Sequence, residues 1–509
     1  MVPDYDLLVI GGGINGAGIA RDAAGRDLKV LLVEKDDLAS HTSSASTKLV
    51  HGGLRYLEHY EFRLVREALQ EREVLLRMAP HIIWPLRFVL PHDEGLRPAW
   101  LLRLGLFLYD HIGGRELLPP TRKVDLRQAP HAKVLEERLR TGFEYSDCWV
   151  EDSRLVVLNA MDAAERGANI RTRTKATDLQ RNGNLWEVRL EGTEGPSETV
   201  TCSAIVNAAG PWVDDVLGKA LPQEAHDNLR LVKGSHLIVP RLYDHDHCYI
   251  FQNGDDRIVF AIPYERDFTL LGTTDVAFEG DRDAIAISQD EASYICDAVN
   301  EYLAIDVSPK DAVSSYSGVR PLYDDKARSN STVTRDYVFE LEGGGAEAPI
   351  LSIFGGKITT YRRLAEHALE RLEKVGLPMG RKWTKDANLP GGDLDPLKVA
   401  SFMTDCEQRY PWFPRDGIVR LVRAYGTRID RILQDKHSLD DCGRHFGGDF
   451  YEAEARYLIQ HEFARTAEDI LWRRSKLGLH LEGEGQEKLR EWLSSQNAMR
   501  ASGINQSST

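Results

Sequence analysis

The sequence predicts an α/β protein (α+β overall), with a parallel-sheet domain of the nucleotide-binding kind, an antiparallel sheet inserted into it, and a helical cap at the end. Three observations predict this. The apolar run Tyr5–Ile10 leads directly into Gly11, Gly12, Gly13 and Gly16. Two later runs, Ala204–Ala208 and Ile350–Phe354, also end on glycines, at Gly210 and at Gly355-Gly356. Beyond the turn-rich segment LPGGDLDP the pattern becomes helical to the end of the chain. Short apolar runs bounded by glycine are the signature of strands buried on both faces of a parallel sheet.

In chain order, Tyr5–Ile10 is the first strand, Ile14–Ala24 a helix and Leu28–Glu34 a second strand, which together make one βαβ unit. Residues 40–53 are rich in Ser, Thr and Gly and read as loop, whereas Phe62–Met78 has helical spacing of its Leu and Val residues. The runs Leu185–Leu190, Leu237–Val239, Arg257–Ile262 and Phe268–Gly272 are short strands assigned to the inserted sheet. The expected division is a discontinuous domain within residues 1–385, interrupted at about 80–142 and 217–345, and a cap over 386–509.

Composition narrows the function. With 42% hydrophobic and 28% charged residues the chain is an ordinary globular one, and a net charge of −15 disfavours nucleic acid as a partner. The six cysteines show no metal-ligand spacing, so no metal is expected. The N-terminus reaches its glycines too early for a cleavable leader, and no apolar run approaches the ~20 residues that span a bilayer, so a cytoplasmic protein is expected.

In GGGINGAG, Gly11 permits a tight turn, Gly13 admits a pyrophosphate to the backbone, and Gly16 lets helix and strand pack closely. Glu34, at the end of the second strand, is placed to accept hydrogen bonds from an adenosine ribose and to repel an extra 2′-phosphate. This is a Rossmann-type dinucleotide site that disfavours NADP. The segment FGGKITTYR (354–362) sets two glycines at a helix start, where the dipole would stabilise negative charge on a reduced flavin, favouring FAD over NAD.

The sequence resembles the FAD-dependent glycerol-3-phosphate dehydrogenases, relatives of the D-amino-acid-oxidase flavoproteins. The resemblance is carried by IGGGINGAGIARDAAGR (10–26), SSASTKLVHGGLRYLEHYEFRLV (43–65), GFEYSDCWVEDSRL (142–155), VNAAGPWVDDV (206–216), KGSHLIVP (233–240), GTTDV (272–276), YSGVRPL (316–322) and FGGKITTYRRLAEHAL (354–369), in that order and nearly end to end. It implies oxidation of sn-glycerol 3-phosphate to dihydroxyacetone phosphate, with electrons passing through FAD to a membrane quinone.

Such a reaction needs a base, a phosphate clamp and electrostatic help for a developing alkoxide. His236 is the first choice of base and His51 the second, since imidazole titrates near neutrality. Arg320, Arg55 and Arg335 suit oxyanion recognition, Lys357 adds a point charge beside the flavin, and Tyr56 and Thr273 are candidate substrate ligands. Ser43, Ser44, Ser46, Thr47 and Lys48 offer hydroxyls and one cation to the FAD pyrophosphate and ring; Gly52, Gly210, Gly356 and Thr359 complete the expected cofactor contacts.

A quinone acceptor requires a peripheral attachment to the inner face of the cytoplasmic membrane. The segment Leu96–Ile112, with Trp100, Phe107 and Tyr109 among leucines, is either an interfacial helix or a buried one. A homodimer through the C-terminal helices is the expected assembly. The rival readings are an oxidase that returns electrons to O₂, and a non-catalytic FAD-binding protein that docks a partner.

Overall fold

A computed structural model describes residues 2–93, 98–193, 195–222, 227–255, 257–324 and 336–501. The first strand, Tyr5–Ile10, lies centrally in a sheet and pairs in parallel with Val30–Val33 on one side and Glu198–Asn207 on the other. Parallel pairs to Asn169–Arg171 and Glu347–Phe354 extend it, and Val338–Gly344 closes one edge antiparallel. Side chains alternate as the pleat requires. Leu7 and Val9 face the helices Ile14–Ala24, Asp152–Glu165 and Tyr361–Lys374. Leu8 and Ile10 face a second layer made by the hairpin Thr174–Asn182 and Leu185–Gly192 with its fully buried Trp186.

That hairpin continues antiparallel into Glu198–Asn207, so Leu185–Leu190 belongs to the first sheet and not, as expected, to the inserted one. The period-2 pattern of Leu185–Leu190 identifies a strand with one buried face; it does not say which sheet it joins.

The second sheet is built mainly of antiparallel strands. Its long members are Ile83–His92, Thr141–Val150, Leu229–Pro240, Ile258–Tyr264, Phe268–Gly272 and Ser314–Tyr323. Thr141–Val150 pairs along its length with Ile83–His92, beyond the expected edge at 142. The last strand of this sheet ends at Tyr323, and Val338–Gly344 already belongs to the first sheet, short of the expected edge at 345. The first shift arises because Thr141–Val150 runs straight through the expected boundary, the second because Val338–Gly344 forms a hairpin with Glu347–Phe354 of the first sheet.

The C-terminal helices enclose a core of their own around Ile418, Leu421, Ile429, Phe450, Leu458, Ile470 and Leu489. Two buried ion pairs tie them to the first domain. Arg474 donates to Asp37 at 2.8 Å, and Arg154 donates to Glu462 at 2.9 Å.

Candidate active site

Gly11 has φ +113°, in the region that favours glycine, and a Cβ there would overlap the Ala208 carbonyl of the neighbouring strand. A Cβ at Gly16 would overlap the carbonyl oxygen of Gly11 itself, which is how closely helix and strand approach. At the mouth of this turn Gly13 is the N-cap of Ile14–Ala24 and has no side-chain cap, so the helix start is left to its backbone N–H groups and a ligand. Ser43 Oγ accepts from the Ile14 N–H at 3.0 Å.

A cavity of about 430 Å³ runs from Glu34 past Gly11, Gly13 and Ser43 to Gly210, Gly355 and Gly356. The Glu34 carboxylate accepts from the N–H of Gly12 at 2.6 Å and of Asp36 at 2.8 Å. Burial raises its pKa and these two N–H groups oppose the rise. Asn15 donates to Gly355 O at 3.1 Å, while its buried Oδ1 has no hydrogen-bond partner among the described residues. A glycine cradle and a buried acceptor without a donor fit a dinucleotide with its pyrophosphate at the helix start.

Sequence reasoning missed His41, Trp212, Lys35 and Arg282, which also border this cavity. The His41 ring lies 4.5 Å from Trp212 and hydrogen-bonds Asp36 at 2.8 Å, which holds the Asp36 carboxyl down at about 2. Lys35 sits 4.0 Å over Trp212, and Arg282 from the second domain donates to Pro211 O at 2.6 Å. Lys35 and His41 follow Glu34 and Trp212 ends VNAAGPW, whereas Arg282 carried no local sequence signal.

A second cavity, of about 480 Å³, is lined by Thr47, His51, Tyr56, Thr273 and Arg320, together with Asp147, Gln252, Arg257 and Asp275. Lys357 Nζ stands 4.0 Å over the Tyr56 ring. Arg320 donates to Thr274 O at 3.2 Å and stands 3.5 Å from the Asp275 carboxylate, with 39% of its side chain exposed. Asp147, Asp275, Gln252 and Arg257 were missed; the first two stand inside GFEYSDCWVEDSRL and GTTDV and were legible there.

The two histidines are placed differently. His51 is half-buried on the cavity wall, and burial depresses its pKa, with Lys357 and Arg72 adding to the fall and Asp147 opposing it. His236 is buried behind Thr47, whose hydroxyl lies 3.0 Å from Nε2, and stacks 4.7 Å from Tyr316. Burial, reinforced by Lys48 and Arg320, brings its pKa down to about 3. Thr359 accepts the His51 backbone N–H at 3.2 Å and so fixes the loop that carries that ring.

Several expected contacts are redirected. Lys48 is buried and donates to Asp152 at 2.8 Å and to Ser44 O at 3.1 Å; the Ser46 hydroxyl donates to the same carboxylate at 2.8 Å. Burying an ammonium requires a counter-charge, and Asp152 supplies it, so Lys48 and Ser46 shape the loop and present no free charge to a cofactor. Gly52 gives its N–H to the Tyr109 hydroxyl at 2.8 Å, and a Cβ there would meet Leu69. The Arg55 side chain and Arg335 lie outside the described residues.

The described part of Leu96–Ile112 is the helix Ala99–Ile112; Leu96 and Arg97 lie outside it. Leu106 and Tyr109 are buried, whereas Trp100 is 68%, Phe107 57% and Leu104 48% exposed, which rules out a fully buried helix. Among the described residues no helix is long and apolar enough to cross a membrane.

Residues 6–362 match the family model "FAD dependent oxidoreductase", and residues 382–494 match "C-terminal domain of alpha-glycerophosphate oxidase". The chain is 53% identical to D-erythritol 1-phosphate dehydrogenase of Brucella abortus, over 97% of this chain and 98% of that one. It is 48% identical to aerobic glycerol-3-phosphate dehydrogenase of Escherichia coli, over 96% and 97%. The structure of glycerol-3-phosphate dehydrogenase from Bacillus halodurans complexed with FAD superposes with a TM-score of 0.74 at 25% identity, covering 99% of this chain and 96% of that chain. FAD is thus the cofactor, and the chain belongs to the FAD-dependent oxidoreductases that carry the C-terminal domain of alpha-glycerophosphate oxidase.

Proposed function

We propose that this enzyme oxidises sn-glycerol 3-phosphate to dihydroxyacetone phosphate. The observation that carries the reading is the second cavity, where one imidazole, the partly exposed Arg320 side chain and a nearby ammonium converge beside the loop 43–53 and the segment Gly355–Thr359. Held along Gly11, Gly13 and Gly356, FAD would supply the two-electron acceptor for the C2 hydride. His51 receives the hydroxyl proton, which it can do because burial keeps it neutral at pH 7. Arg320 clamps the phosphate, or the oxygen that becomes the ketone, through the fork geometry that suits oxyanions. Lys357, held over Tyr56, adds positive potential to the same region. His236, enclosed by Thr47 and Tyr316, positions that loop.

The electrons then pass to a membrane quinone at the inner face of the cytoplasmic membrane. Leu101, Leu104 and Leu108 line the mouth of the same cavity and belong to the helix whose Trp100 and Phe107 are exposed, so an apolar acceptor and a lipid surface would meet the enzyme where the cavity opens. The erythritol-phosphate relative supports a second reading, a phosphorylated polyol one carbon longer. Steady-state assays with a dye acceptor decide between them. Equimolar dihydroxyacetone phosphate from glycerol 3-phosphate, at a kcat/KM above that for erythritol 1-phosphate, supports the first reading; the reverse order supports the second.

A further inference from the structure

A third cavity, of about 460 Å³, lies between the second sheet and the C-terminal helices, away from both cavities described above. Its floor is Trp84 and Trp149, 6.0 Å apart and inclined by 32°, with Pro263 and Pro414 beside them. Most charges on its wall are spoken for. Arg420 bonds Asp449 at 2.9 Å and Glu454 at 2.7 Å, Arg473 bonds Asp37 at 2.6 Å, and Arg266 stands 3.2 Å from Asp416. His480 lies 3.5 Å from Glu265.

Arg423 and Lys476 are different. Arg423 stacks 4.5 Å over Trp84, and among the described residues its one hydrogen bond is a long one, 3.5 Å to Pro80 O, with no carboxylate within ion-pair distance. Lys476 bonds the Trp472 carbonyl and lies 3.4 Å from Ser153 Oγ, again with no ion pair. Both are pushed below their ordinary pKa by burial, Arg423 to about 10 and Lys476 to about 8, as expected of cations removed from water without a full counter-charge. The acid that faces them, Glu151, accepts from the Trp149 indole N–H at 2.8 Å, and burial followed by Glu265 lifts it to about 7. Arg423 and Lys476 therefore face the aromatic floor of the cavity, with Glu151 and Glu265 as the carboxylates nearest Lys476.

We infer that this cavity is a binding site for an aromatic carboxylate, its ring packed against the cavity-lining parts of Trp149 and Trp84 that Arg423 leaves uncovered and its carboxylate taken by Arg423 and Lys476. A guanidinium already stacked on an indole is set to donate to two carboxylate oxygens without a rotamer search. The site also touches the flavin loop. Ser153, beside Lys476, gives its backbone N–H to Asp152 at 2.8 Å, and Asp152 holds Lys48 and Ser46.

The test is calorimetric titration of the FAD-loaded enzyme with 2-naphthoate at pH 7, without substrate, so that its outcome is independent of the substrate reading. One saturable site per chain is expected, weakened at least tenfold by Arg423→Gln and unchanged by Arg320→Ala in the other cavity. Glu151→Gln keeps the acceptor for Trp149 and removes a repelling charge, so it should tighten binding severalfold. Absence of saturable binding, equal affinity in Arg423→Gln, loss in Arg320→Ala, or a Glu151→Gln enzyme that binds no better would each overturn the assignment.

Discussion

A single methyl group at Gly16 is enough to test the cofactor cradle. It would overlap the carbonyl oxygen of Gly11, which is backbone and cannot swing away. Gly16→Ala should therefore yield protein with little or no FAD, read as the ratio of flavin to protein absorbance after purification; full occupancy would mean that the turn has slack that its geometry denies. The base is tested by pH. A neutral His51 is required to accept a proton, and its folded pKa lies below the ordinary value of about 6.5. The kcat/KM profile should be flat from pH 7 to 8 and fall only below about pH 6.5, and His51→Gln should lower the rate by roughly 10²- to 10⁴-fold. A rate still rising through pH 8 would point to another group. At this scale the sequence was most legible where backbone geometry is decisive, as at Gly11 and Gly16. It was least legible for Lys48: a cation in a hydroxyl-rich loop looks like a ligand contact, and only the fold brings Asp152 to it, more than a hundred positions away.

Among the elements, Ile14–Ala24, Phe62–Met78 and Phe268–Gly272 have the bounds their patterns predicted, because each is a strong local signal. The sheet membership of Leu185–Gly192 was not legible, since pairing is a long-range property. The helix Ala99–Ile112 carries the clearest prediction at this scale. Trp100→Glu with Phe107→Glu alters side chains that are 68% and 57% exposed, so folding and flavin content should be unchanged. The double variant should no longer sediment with liposomes of anionic lipid, and quinone reduction should fall at least tenfold while dye reduction is retained. Unaltered sedimentation would move the membrane contact elsewhere.

For the whole molecule, two fully buried histidines link stability to pH. His81 and His236 are both held down to about 3, in each case chiefly by burial, with Arg154 and Arg423 adding to the effect at His81. Their folded pKa values lie below the unfolded one, so the unfolded chain binds more protons between about pH 6.5 and 3, and stability falls as pH drops through that window. Each site contributes a loss of about 1.4 kcal/mol per pH unit once the pH is below 6.5. The melting temperature should fall steeply from pH 6.5 to 5, and a His81→Asn, His236→Asn protein should show a shallower fall; an unchanged slope would mean that carboxylates alone set the acid limit. The broad architecture was legible because each domain has its own hydrophobic pattern. The domain edges were not, because Thr141–Val150 crosses from one pattern into the other without a break.

Mixing the FAD-loaded enzyme with glycerol 3-phosphate under anaerobic conditions, with no acceptor present, reads substrate, cofactor and hydride transfer in one event. One equivalent should bleach the flavin absorbance completely and release one dihydroxyacetone phosphate, and Arg320→Ala, with its FAD retained, should bleach far more slowly. A flavin that stays oxidised in the wild-type protein, with FAD fully bound, would contradict the proposed reaction.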